Sequence, residues 1–296
     1  MKVSEDNVDS RDEAGGVLFD SHTHINYDDM NEDERNVLIR EIEASDVGVV
    51  IDVGFDLPSS ELSAALAQVY PWYYAAVGIH PHDADKLDDA ALSRLRELSQ
   101  LDRVMAVGEI GLDYYRDISP RDVQRDAFKR QIHLALETGL PMLIHDRDSG
   151  GEAIEMLIRE GALVKKGSDI KDTVKSSLDD KSADKGNPRV LLHCYSGTAD
   201  EALDYIDMGA MISVAGPVTY KKNERLHEVA RRVPLSSMLI ETDAPFLSPV
   251  PYRGKRNKSP YIEYTADAIA QLRGISYEEV AAATFENGCR FFGIRR

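Results

Sequence analysis

Eight short segments rich in β-branched and apolar residues recur along the chain, and each is followed by a stretch long enough to form a helix. The segments are residues 17–22, 47–53, 73–80, 104–110, 141–145, 189–194, 210–214 and 238–243. Strands that alternate with helices pair in parallel through crossover helices, and runs that are apolar on both faces indicate a sheet covered on both sides. The pattern therefore predicts an α/β fold with a parallel sheet.

The number of repeats favours closure of that sheet into a barrel. Eight strand and helix units in 296 residues fit a single (β/α)8 TIM barrel, whose usual size is about 250 residues. After the last strand, the pattern predicts two closing helices over residues 261–273 and 276–287, and Asn287 and Gly288 are predicted to end the second. A doubly wound open sheet is the alternative architecture.

Two regions differ from this pattern. Residues 1–16 are acidic and predict a disordered amino-terminal tail. Residues 165–188 are rich in Lys, Asp and Ser, with few apolar side chains, and predict a flexible surface insertion before the sixth strand. We therefore predict one barrel domain over residues 17–296.

The formal net charge of −17 limits the classes of partner. A protein that binds duplex nucleic acid without specificity usually has a basic surface, because binding releases counterions from phosphate. A phosphodiester in a metal-lined pocket is still allowed, since divalent ions are the largest local charges there. Two cysteines, no signal peptide and no run of about 20 uncharged apolar residues predict a cytoplasmic protein without a membrane partner, with the nucleus as the alternative.

The predicted strand ends carry side chains that bind metal ions. The first strand ends in His22 and, two residues on, His24, which alternation places on one face about 7 Å apart along the chain. The ends of four other strands carry Glu109, His145, His193 and Asp243. Because the carboxyl ends of barrel strands gather at one face, where active sites lie, the six residues predict one metal centre. The alternative, polar groups satisfied at loop entrances, explains any one of them but needs six coincidences to explain the set.

Imidazole and carboxylate ligands suit Mg²⁺, Zn²⁺ or Mn²⁺. Six ligands are more than one tetrahedral ion uses, so we predict one or two divalent ions, two of them about 3.5–4 Å apart with Glu109 as the bridge. Two cations would activate a shared water for attack on a phosphoryl or carbonyl group. Asp243 could orient that water or accept its proton. His80, at the end of the third strand, is either a substrate or ligand contact or a packed capping residue.

A run of positive charge follows the last predicted strand. Arg253, Lys255, Arg256 and Lys258 lie in the sequence PYRGKRNKSP. Arg binds phosphate oxygens through paired donors and Lys as a point charge. We predict substrate contacts from Arg253, Lys255 and Arg147, which follows His145 by two positions; a solvated basic surface is the alternative.

With these segments assembled, the sequence resembles the TatD family of metal-dependent deoxyribonucleases, which are amidohydrolase-like TIM barrels. The resemblance runs over residues 18–293 and is carried by seven motifs: FDSHTHIN (19–26), GIHPH (78–82), GEIGLDYY (108–115), PMLIHDR (141–147), LLHCYSG (191–197), ETDAPFLSP (241–249) and YRGKRN (252–257). It implies 3′ to 5′ exonuclease action on DNA, and sometimes RNA, with magnesium or another divalent ion. Residues 165–188 and Lys258 depart from the family pattern, which bears on substrate selectivity.

The resemblance also implies how the ligands divide between two metals. It assigns the first metal to His22, His24, Glu109 and Asp243, and the second to Glu109, His145 and His193.

Three hypotheses follow from the sequence. The first is a divalent-metal nuclease that acts on single-stranded or frayed ends and needs no protein partner. The second is a related amidohydrolase that cleaves a small amide, ester or lactone, which would suit the acidic charge; many such enzymes bridge their metals with a carbamylated lysine, whereas this strand end carries Glu109. The third is a metal-binding scaffold that contacts a partner through residues 165–188.

Overall fold

The computed structural model describes residues 17–27, 29–164 and 189–295. Within these ranges, eight strands form one sheet in sequence order, and every neighbouring pair is parallel. The strands are β1 Leu18–Thr23, β2 Val47–Val53, β3 Tyr73–Val77, β4 Val104–Asp113, β5 Met142–Arg147, β6 Val190–Leu192, β7 Ala210–Val214 and β8 Met238–Ile240.

The connections between strands are helical, as the pattern predicts. The helices are α1 Glu32–Glu43, α2 Leu57–Ala67, α3 Asp89–Leu98, α4 Arg121–Thr138, α5 Glu152–Arg159, α6 Ala199–Asp207, α7 Glu224–Arg232, α8 Ile262–Arg273 and α9 Tyr277–Phe292. Side-chain capping boxes begin α1, α2, α6 and α9, and they satisfy amide groups that lack a partner within the helix.

β1 and β8 meet at their carboxyl ends and close the barrel. The backbone N–H of His24 donates to the carbonyl of Ala244 at 2.7 Å, and the N–H of Asp243 donates to the carbonyl of His22 at 2.9 Å. Thr23 and Ala244 also form a parallel bridge. The predicted (β/α)8 barrel is therefore confirmed, and the open-sheet alternative is wrong because its edge strands would not pair.

Strand alternation separates an inner apolar core from an outer one. Ile51 belongs to the cluster inside the barrel, whereas Val50 belongs to the cluster between the strands and the helices. At the start of β1, the ring of Phe19 packs against Phe285 and Phe292 of α9, with centroids 5.7 and 5.6 Å apart. Helix α9 thus covers the amino ends of the strands and leaves the carboxyl ends for the functional site.

The end of α9 differs from the sequence prediction. The helix does not stop at Asn287 and Gly288 but continues to Phe292 and ends at Gly293, which has φ 69°. A Cβ at Gly288 would lie 2.6 Å from the ring of Phe19. Gly288 therefore allows the close packing of α9 on β1 and is not a termination signal.

The predicted tail, residues 1–16, and the predicted insertion, residues 165–188, lie outside the described residues. Both stay predictions. Among the helices that the structure describes, none is long and apolar enough to span a bilayer.

Candidate metal centre

Four ligand-type atoms meet at the carboxyl-terminal side of β1, β4 and β8, and we call this group cluster A. His22 Nε2 lies 3.2 Å from His24 Nε2 and 3.5 Å from Glu109 Oε2. Asp243 Oδ1 lies 3.9 Å from His22 Nε2 and 3.6 Å from His24 Nε2. His24 Nε2 and Glu109 Oε2 are 3.7 Å apart. The two imidazoles and the two carboxylates therefore face one common point.

The geometry of cluster A fits a divalent cation. A tetrahedral ion with ligand distances of about 2.0–2.2 Å has ligand atoms about 3.3–3.6 Å apart, and the five separations given above, 3.2–3.9 Å, are close to that range. His24 Nδ1 lies 2.8 Å from the carbonyl oxygen of Val53, which can only accept a hydrogen bond. The proton of neutral His24 is thus on Nδ1, so Nε2 offers its lone pair to the cluster.

A second group of ligand-type atoms, which we call cluster B, surrounds the other oxygen of Glu109. Glu109 Oε1 lies 2.8 Å from His145 Nδ1 and 2.7 Å from His193 Nε2. The two imidazole nitrogens are 3.4 Å apart. Cluster B therefore adds two imidazoles to the carboxylate that cluster A already contains.

Glu109 is the residue that joins the two clusters, and its side chain is 5% exposed. Burial by itself would raise the pKa of Glu109, but His193, His80 and His145 outweigh it and hold that pKa well below its usual range. Burial opposes protonation of His193 as well, yet Glu109 and Glu241 raise its pKa well above the usual range. Glu109 is therefore an anion at neutral pH, and its negative charge attracts the neighbouring imidazoles of His145 and His193.

All six residues that the sequence predicts as metal ligands are in these two clusters. His22, His24, Glu109 and Asp243 form cluster A, and Glu109, His145 and His193 form cluster B. How these residues would divide between two metals stays a prediction.

His80 lies at the edge of cluster B. Its Nε2 is 3.5 Å from Glu109 Oε1, and its Nδ1 accepts a hydrogen bond from the backbone N–H of His82 at 3.1 Å. Burial lowers the pKa of His80 to about 4, so the ring is neutral near pH 7 with its proton on Nε2. His80 is therefore a hydrogen-bond donor that points toward the centre.

Asp113, at the end of β4, is a site residue that the sequence analysis missed. Asp113 Oδ2 accepts from His82 Nε2 at 2.8 Å and from His145 Nε2 at 3.3 Å, and its side chain is fully buried. It orients His145 so that Nδ1 faces cluster B. Period-two alternation from Glu109 puts Asp113 on the same face of β4, and that spacing was the available signal. The same carboxylate holds His82, whose side chain is 30% exposed.

Glu241 has a similar role for His193. The carboxylate is fully buried, with Oε1 3.5 Å from His193 Nδ1 and 2.6 Å from the amide nitrogen of Cys194, which donates to it. Ser213 donates to the other oxygen. Glu241 thus lies behind the His193 ring at ion-pair distance, and the Cys194 amide and the Ser213 hydroxyl hold it there.

We expect Asp113→Asn to weaken activity or metal affinity by about 10–100-fold, the usual effect of removing a partner of a ligating histidine. Asn can still accept from the amides of Tyr115 and Arg116, which now donate to Asp113 Oδ1 at 3.0 and 2.7 Å. Its NH₂ group, however, would face the N–H groups of His82 and His145. Metal titration and steady-state kinetics measure the change. Asp117→Asn, in an exposed pair with Arg121, is the control, and equal effects from both variants would contradict the role of Asp113.

Cys194 lies in an electronegative environment next to the centre. Alternation from His193 predicts a side chain turned toward the helical layer, but β6 ends at Leu192 and Cys194 has φ 46°, so alternation does not reach it. Burial and the nearby carboxylates of Asp243 and Glu241 raise the pKa of its thiol well above the usual range. The thiol stays protonated and is a poor nucleophile.

Half of the predicted basic run is neutralised by acidic residues that are distant in sequence. The guanidinium of Arg256 pairs with Asp29 at 2.7 Å, and Lys258 Nζ pairs with Glu41 at 3.0 Å. These two cations hold the loop after β8 against the segment around α1. They are therefore less suited to bind phosphate.

The three predicted substrate contacts are exposed and carry their charge without a carboxylate partner among the residues described. The guanidinium of Arg253 lies over the ring of Tyr220 at 4.4 Å, and that of Arg147 lies over the ring of Tyr115 at 4.0 Å. Lys255 is exposed in the same loop as Arg253. The aromatic rings hold both guanidinium groups in place and leave their N–H groups able to donate.

A TIM barrel with buried imidazole and carboxylate clusters at the carboxyl ends of its strands has the architecture of a metal-dependent hydrolase. The comparisons with known proteins assign the family within this class. The family model described as "TatD related DNase" matches residues 19–293. The chain therefore belongs to the TatD-related DNase family of metal-dependent hydrolases.

Individual relatives match over nearly the whole chain. A Bacillus subtilis (strain 168) protein named "Uncharacterized metal-dependent hydrolase YabD" is 37% identical, and the match covers 94% of this chain and 100% of that protein. A Citrobacter rodentium (strain ICC168) protein named "3'-5' ssDNA/RNA exonuclease TatD" is 30% identical over 94% of this chain and 98% of its own length. The crystal structure of YJJV, a TatD homologue from Escherichia coli K12, has a TM-score of 0.79 at 27% identity and covers 95% of this chain and 99% of that one.

Proposed function

We propose that the protein hydrolyses phosphodiester bonds with one or two divalent metal ions and releases nucleotides in the 3′ to 5′ direction from single-stranded or frayed DNA ends, and also from RNA. One observation carries the proposal: the two oxygens of Glu109 face two separate clusters, at 3.5 Å from His22 Nε2 and 2.7 Å from His193 Nε2. A shared carboxylate between two ligand sets suits a two-ion site for phosphoryl chemistry. The relative named as a single-stranded DNA and RNA exonuclease supports the same substrate class.

The residues of the two clusters take distinct roles in this proposal. Cluster A would hold one ion and cluster B the other. Bound divalent ions would lower the pKa of an attacking water and neutralise charge on the phosphoryl oxygens. Asp243 would orient the water or accept its proton, because burial, which raises its pKa, is outweighed by His24 and His22, which keep it ionised. His80 would donate a hydrogen bond from Nε2 to a phosphoryl oxygen.

Arg147, Arg253 and Lys255 would bind the phosphate groups next to the cleaved bond. Their exposed cations supply local positive charge in a protein with a net charge of −17. Bound metal ions would add to that local charge, so the site can attract a polyanion although the rest of the surface repels one. This arrangement favours a short stretch of substrate over a long duplex.

Nucleotide release tests the proposal directly. The purified protein is incubated with single-stranded DNA and RNA that carry a label at the 5′ end, after removal of metal with a chelator and after return of Mg²⁺, Mn²⁺ or Zn²⁺. We expect no cleavage without metal and a ladder that shortens from the 3′ end with metal. Failure to release nucleotides under any metal would refute it.

The second candidate is hydrolysis of a small amide, ester or lactone, which the acidic net charge favours. Such a substrate has no need of the exposed cations. Turnover of a neutral ester or lactone together with no cleavage of phosphodiesters would therefore support this candidate over the nuclease.

Arg253→Ala is expected to raise KM for oligonucleotides by about tenfold with little change in kcat, since a charge-assisted phosphate contact contributes about 1.5–3 kcal/mol. The slope of log KM against log salt concentration should also fall by about 0.7, because each phosphate contact to a single strand contributes that amount. Kinetics at several salt concentrations measure both. The control is Arg96→Ala, an exposed arginine paired with Glu137 between α3 and α4; an unchanged KM in Arg253→Ala would remove this loop from the site.

A further inference from the structure

We infer that Phe246, together with Tyr27 and Phe55, forms a subsite that stacks an unpaired nucleobase beside the metal centre. The inference rests on the proposed phosphodiesterase function and adds a group that selects for single strands. The three rings belong to loops after β8, β1 and β2, so they line one side of the barrel mouth.

The aromatic cluster is in direct contact with a candidate metal ligand. The ring centroid of Phe246 lies 6.3 Å from that of His24, and the centroid of Phe55 lies 5.7 Å from it. Tyr27 lies between the two phenyl rings, 5.3 Å from Phe246 and 5.8 Å from Phe55. A nucleotide held by its phosphate at the centre carries its base one sugar away. The exposed aromatic ring of Phe246, next to His24, is therefore in the right place to receive that base.

Phe246 remains exposed although it lies in a tightly held loop. Its side chain is 44% exposed. The buried amide of Asn257 donates to the carbonyls of Thr242 and Phe246 at 2.8 and 2.7 Å, and the N–H of Phe246 donates to the carbonyl of Asp243 at 2.8 Å. These bonds fix the backbone on both sides of the ring. Exposure of an aromatic ring on a fixed loop, rather than on a loose one, indicates a prepared binding surface.

A nucleobase is the occupant that fits this surface and the centre together. Bases stack on aromatic side chains regardless of sequence, because every base has a π face. In a duplex both faces of an internal base are covered by its neighbours, whereas a single strand or a frayed end offers a free face. The subsite thus predicts preference for unpaired ends and little preference among the four bases.

Equilibrium binding of dAMP and of 2-deoxyribose 5-phosphate to the Mn²⁺-loaded protein tests the subsite without any need for hydrolysis. The two probes share the sugar phosphate and differ by the base. We expect the parent protein to bind dAMP about tenfold more tightly, the effect of one base stacked on an aromatic side chain. Phe246→Ala should remove that difference by raising the Kd of dAMP alone, and Phe246→Trp should restore it.

Val250→Ala is the matched control, because Val250 is a similarly exposed apolar residue of the same loop, 46% exposed; it should leave both Kd values unchanged. Equal binding of the two probes by the parent protein, or an equal effect of Phe246→Ala on both, would overturn the inference. If the parent protein bound dAMP more tightly than 2-deoxyribose 5-phosphate but cleaved no oligonucleotide, the proposed reaction would be refuted and the base-binding subsite would be supported.

Discussion

Glu109→Gln is expected to lower turnover by about a thousandfold or more and to reduce metal binding at both clusters. The carboxylate contributes one oxygen to each cluster, 3.5 Å from His22 Nε2 and 2.8 Å from His145 Nδ1. Glutamine keeps the shape but replaces one oxygen with an NH₂ group and removes the negative charge. Loss of several kcal/mol of charge stabilisation corresponds to about three powers of ten in rate.

Metal content, kcat and the melting temperature, measured on the same preparations, separate the causes of such a loss. Removing one member of a buried charged group leaves the others uncompensated, so we also expect stability to fall by about 3–5 kcal/mol. Glu137→Gln is the matched control, since Glu137 is 56% exposed and pairs with Arg96. A folded Glu109→Gln protein that keeps both its metal and its kcat would show that Glu109 does not join two metal sites.

The fold could be predicted from the sequence because each strand is buried on both faces and therefore appears as an apolar run. The limits of the strands were less predictable. β4 continues to Asp113, three residues beyond its predicted end, because alternate positions there face the polar centre instead of the core. The end of α9 was also predicted too early. Glycine is typical of helix ends, but Gly288 lies inside α9, where it allows close packing on Phe19.

The ligand-type residues could be predicted because barrel closure alone brings the strand ends together. The residues that orient them could not be predicted in the same way. Asp113 and Glu241 are fully buried acids, and their partners, His145 and His193, lie on or directly after other strands. Asp20 is another: it accepts from the amide and the hydroxyl of Thr242 at 2.9 and 2.7 Å. Such pairs depend on strand register, which hydrophobic patterns leave undetermined.

The basic run after β8 illustrates a different limit. Four cations are close in sequence, yet Arg256 and Lys258 are paired with Asp29 and Glu41 from the other end of the chain. Only the folded structure shows that these two cations have carboxylate partners, whereas Arg253 and Lys255 have none among the described residues. The run of positive charge in the sequence therefore indicated a basic surface, but it did not indicate which of its residues are able to bind an anion.

Asp243→Asn is expected to lower kcat by about 10²–10⁴-fold, the contribution of a positioned general base, while KM changes little. Asp243 has φ 52°, a left-handed conformation that asparagine also tolerates, so the backbone should not be strained. Its N–H donates to the carbonyl of His22, and Asp20 holds the preceding Thr242, so the loop geometry should persist.

This substitution also distinguishes the two clusters from each other. The introduced asparagine side chain keeps an oxygen that can face His22 and His24 but can no longer accept a proton, and cluster B has no contribution from this position. We therefore expect metal binding at cluster B to be unchanged and the melting temperature to stay close to that of the parent protein. Kinetics and metal stoichiometry measure the outcome. A kcat within about threefold of the parent value would exclude Asp243 as the base and would leave proton transfer to solvent.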